Sequence, residues 1–213
     1  MKKQGILTII SGFSGAGKGT VVKEIMKKYP ESYYLSISAT TRSPREGEAH
    51  GEHYFFVSKE EFEQMIEEHE LLEYARYVDN YYGTPRKVVL DHLEQGVHVI
   101  LEIEMQGALK VKKKYPEALM IFVAPPDAKT LETRLRGRGT EAEETIIKRL
   151  KRACAEAVYM NDYDYIVVNA DNAVDACAEQ IHQIILNQQQ TVGRSAAFIQ
   201  DMSEELKSYA NID

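Results

Sequence analysis

Short apolar runs that alternate with amphipathic helical stretches place this 213-residue chain in the α/β class, with helices on both faces of a parallel sheet. The first run, Ile6 to Ile10, is continuous and rich in β-branched residues, as suits a strand covered on both faces. Val97 to Ile103, broken only by His98, and Leu119 to Ala124 repeat the pattern, and Tyr165 to Val168 is a shorter instance. The segments between them read as helices. Thr20 to Tyr29 carries Val21, Val22, Ile25 and Met26 on one stripe. Pro85 to Glu94 is closed by Gly96, and Gln106 to Tyr115 and Asp127 to Arg136 follow. A last long helix runs from about Ala173 to Gln188, with Asn172 as its expected N-cap.

Two stretches break this rhythm. Residues 34–84 hold extended pieces at Leu35 to Thr41 and His53 to Val57. A short helix follows, opened by the capping box Ser58-Lys59-Glu60-Glu61 and given an apolar face by Phe62, Met65 and Ile66. This reads as a small α+β insert. The second break, Gly137-Arg138-Gly139-Thr140, reads as a mobile loop between two helices. Thr140 to Glu143 is a further capping box, opening a helix with Ile146, Leu150, Ala153 or Cys154, and Ala157 on one side. In the tail, Phe198, Met202, Leu206 and Tyr209 fall at helical spacing. The plain expectation is a helix packed on its own domain, and the sharper one a dimer contact.

Composition narrows the classes. With 44% hydrophobic and 28% charged residues the chain is not globally disordered, and its length suits one core with small inserts. A net charge of -7 speaks against a general nucleic-acid binder. No apolar stretch approaches the ~20 residues of a membrane span, and Ile6 to Ile10 is too short for a secretory signal core. Cys154 and Cys177 lie in helical segments and read as small buried residues in a reduced compartment, so a cytoplasmic protein is expected.

The chemistry begins after the first strand, in Gly12-Phe13-Ser14-Gly15-Ala16-Gly17-Lys18-Gly19-Thr20. Glycines let the backbone N–H groups wrap a phosphate, the following helix presents its positive end, and Lys18 adds a point charge. At a strand-to-helix junction this marks a nucleotide site. The strict pattern has Ser or Thr directly after the lysine, where a hydroxyl binds Mg²⁺. Here Gly19 stands there and the hydroxyl comes at Thr20, so the metal is expected to be held mostly by nucleotide phosphates and water. The chain lacks the Asn-Lys-x-Asp of GTPases, and its acidic strand end is Leu101-Glu102-Ile103-Glu104. Small-molecule kinases remain, and these need a second site for the phosphoryl acceptor.

That site is signalled by Ser36 to Glu48, where Arg42 and Arg45 sit three apart beside hydroxyls with Pro44 between them. Paired guanidinium forks suit a dianionic phosphate. Tyr54, Glu73 and Asn80-Tyr81-Tyr82-Gly83-Thr84-Pro85 follow. In order and spacing these residues resemble guanylate kinase, from the phosphate loop to about residue 186. The specific motifs are Ser-x-Thr-Thr-Arg-x-Pro-Arg at 38–45, Asn-Tyr-Tyr-Gly at 80–83, Gln-Gly at 106–107 and Gly-Arg-Gly-Thr at 137–140.

The resemblance implies a P-loop NTPase three-layer sandwich over residues 5–186. Its parts would be a core of about 5–34, 85–126 and 161–186, a GMP-binding insert of about 35–84 and a mobile lid of about 127–160; residues 187–213 form a tail. It implies phosphoryl transfer from ATP, with Mg²⁺, to GMP. Arg42, Arg45, Tyr54 and Tyr82 would hold the GMP phosphate, Ser38, Glu73, Gly83 and Thr84 would line the guanine, and Glu102 and Glu104 would lie near ribose, base and metal. Lys18, Arg42, Arg134, Arg138 and Arg149 would be catalytic. No residue is assigned as a direct metal ligand, Thr20 and Glu104 being candidates through water. No nucleic acid or membrane is expected as a partner; dGMP acceptance and the choice between monomer and homo-oligomer stay open.

Physical chemistry supports two of these assignments. A carboxylate only accepts hydrogen bonds, and guanine offers N1–H and a 2-amino group side by side, so Glu73 suits guanine and rejects adenine. Residues 129–152 hold eight Lys or Arg against four Glu, a basic cluster inside an acidic chain and a fitting partner for polyphosphate. A guanylate-kinase-like interaction module is the rival from another class, but such modules typically carry a degraded phosphate loop, and Lys18, Arg138 and Arg149 are intact.

Overall fold

The computed structural model describes residues 4–77, 79–137 and 142–209. In chain order the strands are β1 (Leu7–Ser11), β2 (Tyr33–Leu35), β3 (Ala39–Thr40), β4 (Phe55–Phe56), β5 (Leu71–Tyr77), β6 (Asn80–Pro85), β7 (His98–Glu102), β8 (Leu119–Ala124) and β9 (Tyr165–Val168). The helices are α1 (Lys18–Lys28), α2 (Lys59–Glu67), α3 (Arg86–Glu94), α4 (Met105–Lys114), α5 (Ala128–Arg136), α6 (Glu143–Glu156), α7 (Val174–Gln188) and α8 (Ala196–Lys207).

Five strands form a wholly parallel sheet in the order β2-β7-β1-β8-β9. Strand alternation sorts its side chains into two cores. Ile6 and Ile10 of the first strand segment, with Leu119, Ile121 and Val123 of β8, pack under α1 and α7 through Val21, Val22, Ile25, Ala178, Ile181 and Ile185. Leu7, Ile9, Met120, Phe122 and Ala124 point the other way, against Val89 and Leu93 of α3, Ala108 and Val111 of α4, and Leu131 and Leu135 of α5. Burial on both faces is why these strands read as unbroken apolar runs. The strand order reverses about β1, with Leu7 beside Val99 of β7 and Thr8 beside Leu119 of β8, so the loops after β1, β7, β8 and β9 open on one edge of the sheet.

The remaining strands make a second, mixed sheet, β4-β3-β6-β5, with a small core of Ala39, Phe62 and Leu71. Its helix α2 starts with the expected capping box: Ser58 Oγ accepts from Glu61 N at 3.0 Å, and Ser58 N donates to the Glu61 carboxylate at 2.6 Å.

Several expectations need correction. The extended segment near residue 35 starts at Tyr33, and Tyr33–Leu35 pairs with β7 in the parallel sheet. β5 and β6, which carry half of the candidate acceptor site, were not anticipated. The N-cap of α7 is Ala173, because Asn172 adopts a left-handed backbone (φ 58°) in the turn before it. Helix α6 starts at Glu143 with Ala142 as N-cap and no side-chain cap; Thr140 lies outside the described residues. Cys177 is buried, but Cys154 is exposed. Phe198, Met202, Leu206 and Tyr209 do fall on α8 or just beyond it, yet all four are exposed, so this stripe is not packed on its own domain.

Gly12 shows what the first turn out of β1 demands. A methyl group there would overlap the carbonyl oxygen of Val123 in β8, and backbone cannot move aside as a side chain can. Gly12→Ala is expected to cost about 3 kcal/mol of stability and to lower Tm by roughly 10 °C, read by thermal denaturation.

Candidate active site

The loop Gly12–Thr20 joins β1 to α1, and Gly15 and Gly17 take positive φ of 95° and 88°. Lys18 opens the helix. Its ammonium folds back to donate to the carbonyls of Gly12 at 2.6 Å and Phe13 at 3.3 Å, so the charge is held at the mouth of the loop. Phe13 packs edge-on against Phe122 and anchors the loop to the core. Behind it, Asn169 at the end of β9 is buried and donates to the Ala16 carbonyl at 2.9 Å. Its amide also fills the space that a Cβ on Gly17 would need. Sequence reading missed Asn169; nothing marks an asparagine some 150 residues downstream as part of a phosphate loop.

Two arginines reach the loop from the basic cluster. Arg149 of α6 donates to the Ser14 hydroxyl at 2.5 Å. Arg134 of α5 grips the far end instead, donating to the carbonyls of Asn169 at 2.8 Å and Ala16 at 3.4 Å and pairing with Asp171 at 2.7 Å. It borders a cavity of about 210 Å³ lined also by Gly17, Thr20, Asn169 and Asn172. Arg134 thus sits apart from the Phe13–Ser14 end, where Lys18 and Arg149 lie. Arg138 is outside the described residues.

At the adjacent strand end, the Ser11 hydroxyl donates to the Ile103 carbonyl at 2.9 Å and ties β1 to the turn after β7. Glu102 directs its carboxylate over the start of α1, about where a side chain at Gly19 would stand: a Cβ there would lie 3.5 Å from Glu102 Oε1. Desolvation pushes the Glu102 pKa up, and Lys18 and Lys23 oppose that rise. Glu104 accepts from Arg152 at 2.7 Å. Thr20 lies exposed in the first turn of α1.

The second sheet gathers the other candidates. Arg42 lies beside the rings of Tyr54 (5.4 Å) and Phe56 (5.7 Å), and Tyr54 stands edge-on to Tyr82 at 6.1 Å. Glu48 completes this cluster. One of its oxygens accepts from Arg42 Nη2 at 2.9 Å and the other from the backbone N–H of Arg45 at 2.8 Å. The Arg42 fork holds the Glu48 carboxyl down at about 2. Glu48 is thus the carboxylate partner of the arginine segment. The Arg45 side chain is exposed.

Deeper in the same sheet, Glu73 is 5% exposed and accepts from the Thr84 hydroxyl at 2.9 Å. Burial raises its pKa, while Thr84, Lys110 and Lys114 pull it down. Gly83 is hemmed in by Glu73 O, Leu71 and Phe62. Ser38 lies between β2 and β3, where its carbonyl accepts from Phe55 N at 2.9 Å.

A glycine-rich loop with an ammonium at its mouth and an Arg42–Tyr54–Tyr82 cluster with the buried Glu73 carboxylate in the same sheet thus occur in one chain. The family model described as guanylate kinase matches residues 4–188. A guanylate kinase of Caldanaerobacter subterraneus subsp. tengcongensis is 51% identical over 205 residues, spanning 96% of this chain and 98% of that protein. One of Clostridioides difficile is 48% identical over the same shares. The crystal structure of guanylate kinase from Anaplasma phagocytophilum superposes with a TM-score of 0.75 at 30% identity, covering 100% of this chain and 98% of that one. By sequence and by fold, the chain belongs to the guanylate kinase family, the nucleoside monophosphate kinases that pass a phosphoryl group from ATP to GMP.

Proposed function

We propose that the phosphate loop holds ATP, that the second sheet holds GMP, and that the γ-phosphoryl group crosses between them under the charges of Lys18, Arg149 and Arg138. The observation that carries the guanine reading is Glu73, an acceptor-only group buried beside the Thr84 hydroxyl. Arg42, Arg45, Tyr54 and Tyr82 would hold the phosphate of GMP. When it enters, that phosphate would replace Glu48 on the Arg42 fork and the Arg45 N–H. The cavity beside Arg134 would take the adenosine end of ATP, with the guanidinium against the base.

The acceptor is already a phosphate oxyanion, so no general base is required. Transfer then depends on positioning and on neutralising charge spread over the migrating group. Among the described residues no cluster of three His, Cys, Asp or Glu could cage a metal. The Thr20 hydroxyl and the Glu102 carboxylate at the start of α1 fit a Mg²⁺ that arrives with ATP and keeps its phosphates and water as ligands. Such an ion neutralises phosphate charge. Glu104, paired with Arg152, is the remoter candidate. No helix among the described residues is long and apolar enough to cross a membrane; we infer action on free nucleotides in the cytoplasm.

The test is ADP release from MgATP with GMP, AMP, CMP and UMP in parallel. GMP alone should turn over. Turnover with another base would retain the kinase and remove the Glu73 argument; none at all from folded protein would favour a binding module. Arg138→Ala is expected to lower kcat by roughly two decades with little change in the KM for GMP, as loss of one charged donor to the migrating group requires. A raised KM at unchanged kcat would remove Arg138 from that role.

The raised pKa of Glu73 has two consequences of opposite sign. GMP needs the carboxylate, so kcat/KM for GMP should fall as pH drops through the raised value. The unliganded fold favours the neutral acid. This contribution to stability is full below the ordinary glutamate value and is lost as pH rises through the raised one. Titrating Tm without GMP and kcat/KM with it should give trends of opposite direction.

A further inference from the structure

We propose that one face of α4, formed by Gly107, Lys110 and Lys114, is the element that positions Glu73 and so sets base selectivity. This rests on the reading of Glu73 as the guanine acceptor. The two sheets meet where β5 lies against α4, and Leu72 of β5 is buried in the main core there.

β5 is an edge strand, with β6 on one side only. Its pairing with β6 slips between Leu71, opposite Pro85, and Tyr74, opposite Gly83. Leu72 and Glu73 therefore share the single residue Thr84 across the ladder. Such a bulge re-aims a side chain, and here it turns Glu73 onto the Thr84 hydroxyl. A bulge on an edge also leaves carbonyls without strand partners.

Helix α4 supplies those partners. Lys114 Nζ donates to the Leu72 carbonyl at 2.9 Å, and Lys110 Nζ donates to the Tyr74 carbonyl at 2.8 Å while lying 5.6 Å from the Tyr74 ring. The carbonyls on both sides of Glu73 are thus pinned by ammoniums one helical turn apart. Gly107, one turn earlier on the same face, gives the carboxylate room: a Cβ there would lie 2.9 Å from Glu73 Oε2. Among the described residues, the charged groups acting on the Glu73 carboxyl are Lys110 and Lys114, with Thr84 of β6 as its hydrogen-bond donor. The same lysines that fix the strand also favour the ionised acceptor.

The experiment compares wild type, the double variant Lys110→Met with Lys114→Met, the charge-keeping Lys110→Arg with Lys114→Arg, and Gly107→Ala. The readouts are KM for ATP, KM and kcat for GMP, the same for IMP (which lacks the 2-amino group), and the acid limb of kcat/KM. The Met pair should raise the KM for GMP about tenfold, as loss of charged hydrogen bonds implies, with kcat and the KM for ATP little changed. It should also lower the preference for GMP over IMP and move the acid limb to higher pH; the Arg pair should restore much of both.

Gly107→Ala reaches the same carboxylate from the other side. It should weaken GMP by displacing the carboxylate, the gain in helix propensity offsetting part of the cost to Tm. An unchanged KM for GMP and acid limb in the Met pair, or equal losses for ATP and GMP, would overturn the proposal. Glu73→Gln separates the two ideas. If it keeps the GMP preference, the acceptor reading fails. If it loses the preference while the α4 variants behave as wild type, only the positioning role fails.

Discussion

Lys18→Ala should lower kcat by about three decades, equivalent to ~4 kcal/mol in the barrier, while leaving the fold intact. The ammonium is held across the mouth of the loop by the Gly12 and Phe13 carbonyls, so it is in place before a nucleotide arrives. Little reorganisation is needed when the γ-phosphoryl group passes to the acceptor oxygen and charge builds on the β–γ bridge oxygen it leaves, and such preorganised charge is worth most. The loop has other anchors besides this side chain. Asn169 and Arg134 hold the Ala16 end, and Phe13 is anchored on Phe122. The loss should therefore appear in turnover, with Tm near that of the wild type. Lys18→Arg should rescue little, because a planar fork on a longer stem cannot sit at one point between two carbonyls as an ammonium does. The check is single-turnover ADP formation at saturating ATP and GMP, with circular dichroism on the same samples. A variant retaining a tenth of wild-type turnover would mean that the Lys18 charge does not reach the migrating group.

Legibility followed the range of the interactions involved. β1, β7 and β8 were plain in the sequence because two-sided burial leaves mostly apolar residues in each, with Thr8, Ser11, His98 and Glu102 as the exceptions. The phosphate loop was plain because its parts are contiguous. β5 and β6 were hidden, since Leu71–Pro85 mixes tyrosines with Glu73, Gly83 and Pro85 and contains a bulge, so neither alternation nor a continuous apolar run survives. Other contacts that complete the sites were less legible. Asn169 reaches Ala16 from the end of another strand, and Gly107, though part of a quoted motif, makes room for a residue 34 positions earlier. Each acts through tertiary contact, on which local spacing carries no information. The N-cap of α7 was lost to the left-handed turn at Asn172, a conformation asparagine tolerates well.

Glu73→Gln should cost about three decades in kcat/KM for GMP and remove most of the discrimination against AMP. The change is nearly isosteric, so the reason must lie in donors and acceptors. The carboxylate offers only acceptors, with Oε1 taken by Thr84 and Oε2 facing Gly107. Glutamine has one oxygen. If that oxygen keeps the Thr84 bond, its amide presents hydrogens towards guanine N1–H and the 2-amino group, donor against donor. If it turns, the Thr84 hydroxyl loses its acceptor in a site where both groups are buried. Either arrangement leaves a buried polar group unmatched, and that mismatch exceeds the worth of the bond removed. Loss of the buried charge should at the same time stabilise the free protein slightly at neutral pH, because burial raises the Glu73 pKa and the ionised form is the costly one. A higher Tm with a collapsed kcat/KM for GMP is therefore the expected signature, and it separates loss of recognition from loss of fold. Loss of pH dependence in the acid limb should accompany it. A Gln variant that still prefers GMP over AMP by the wild-type factor would place base recognition elsewhere in the second sheet.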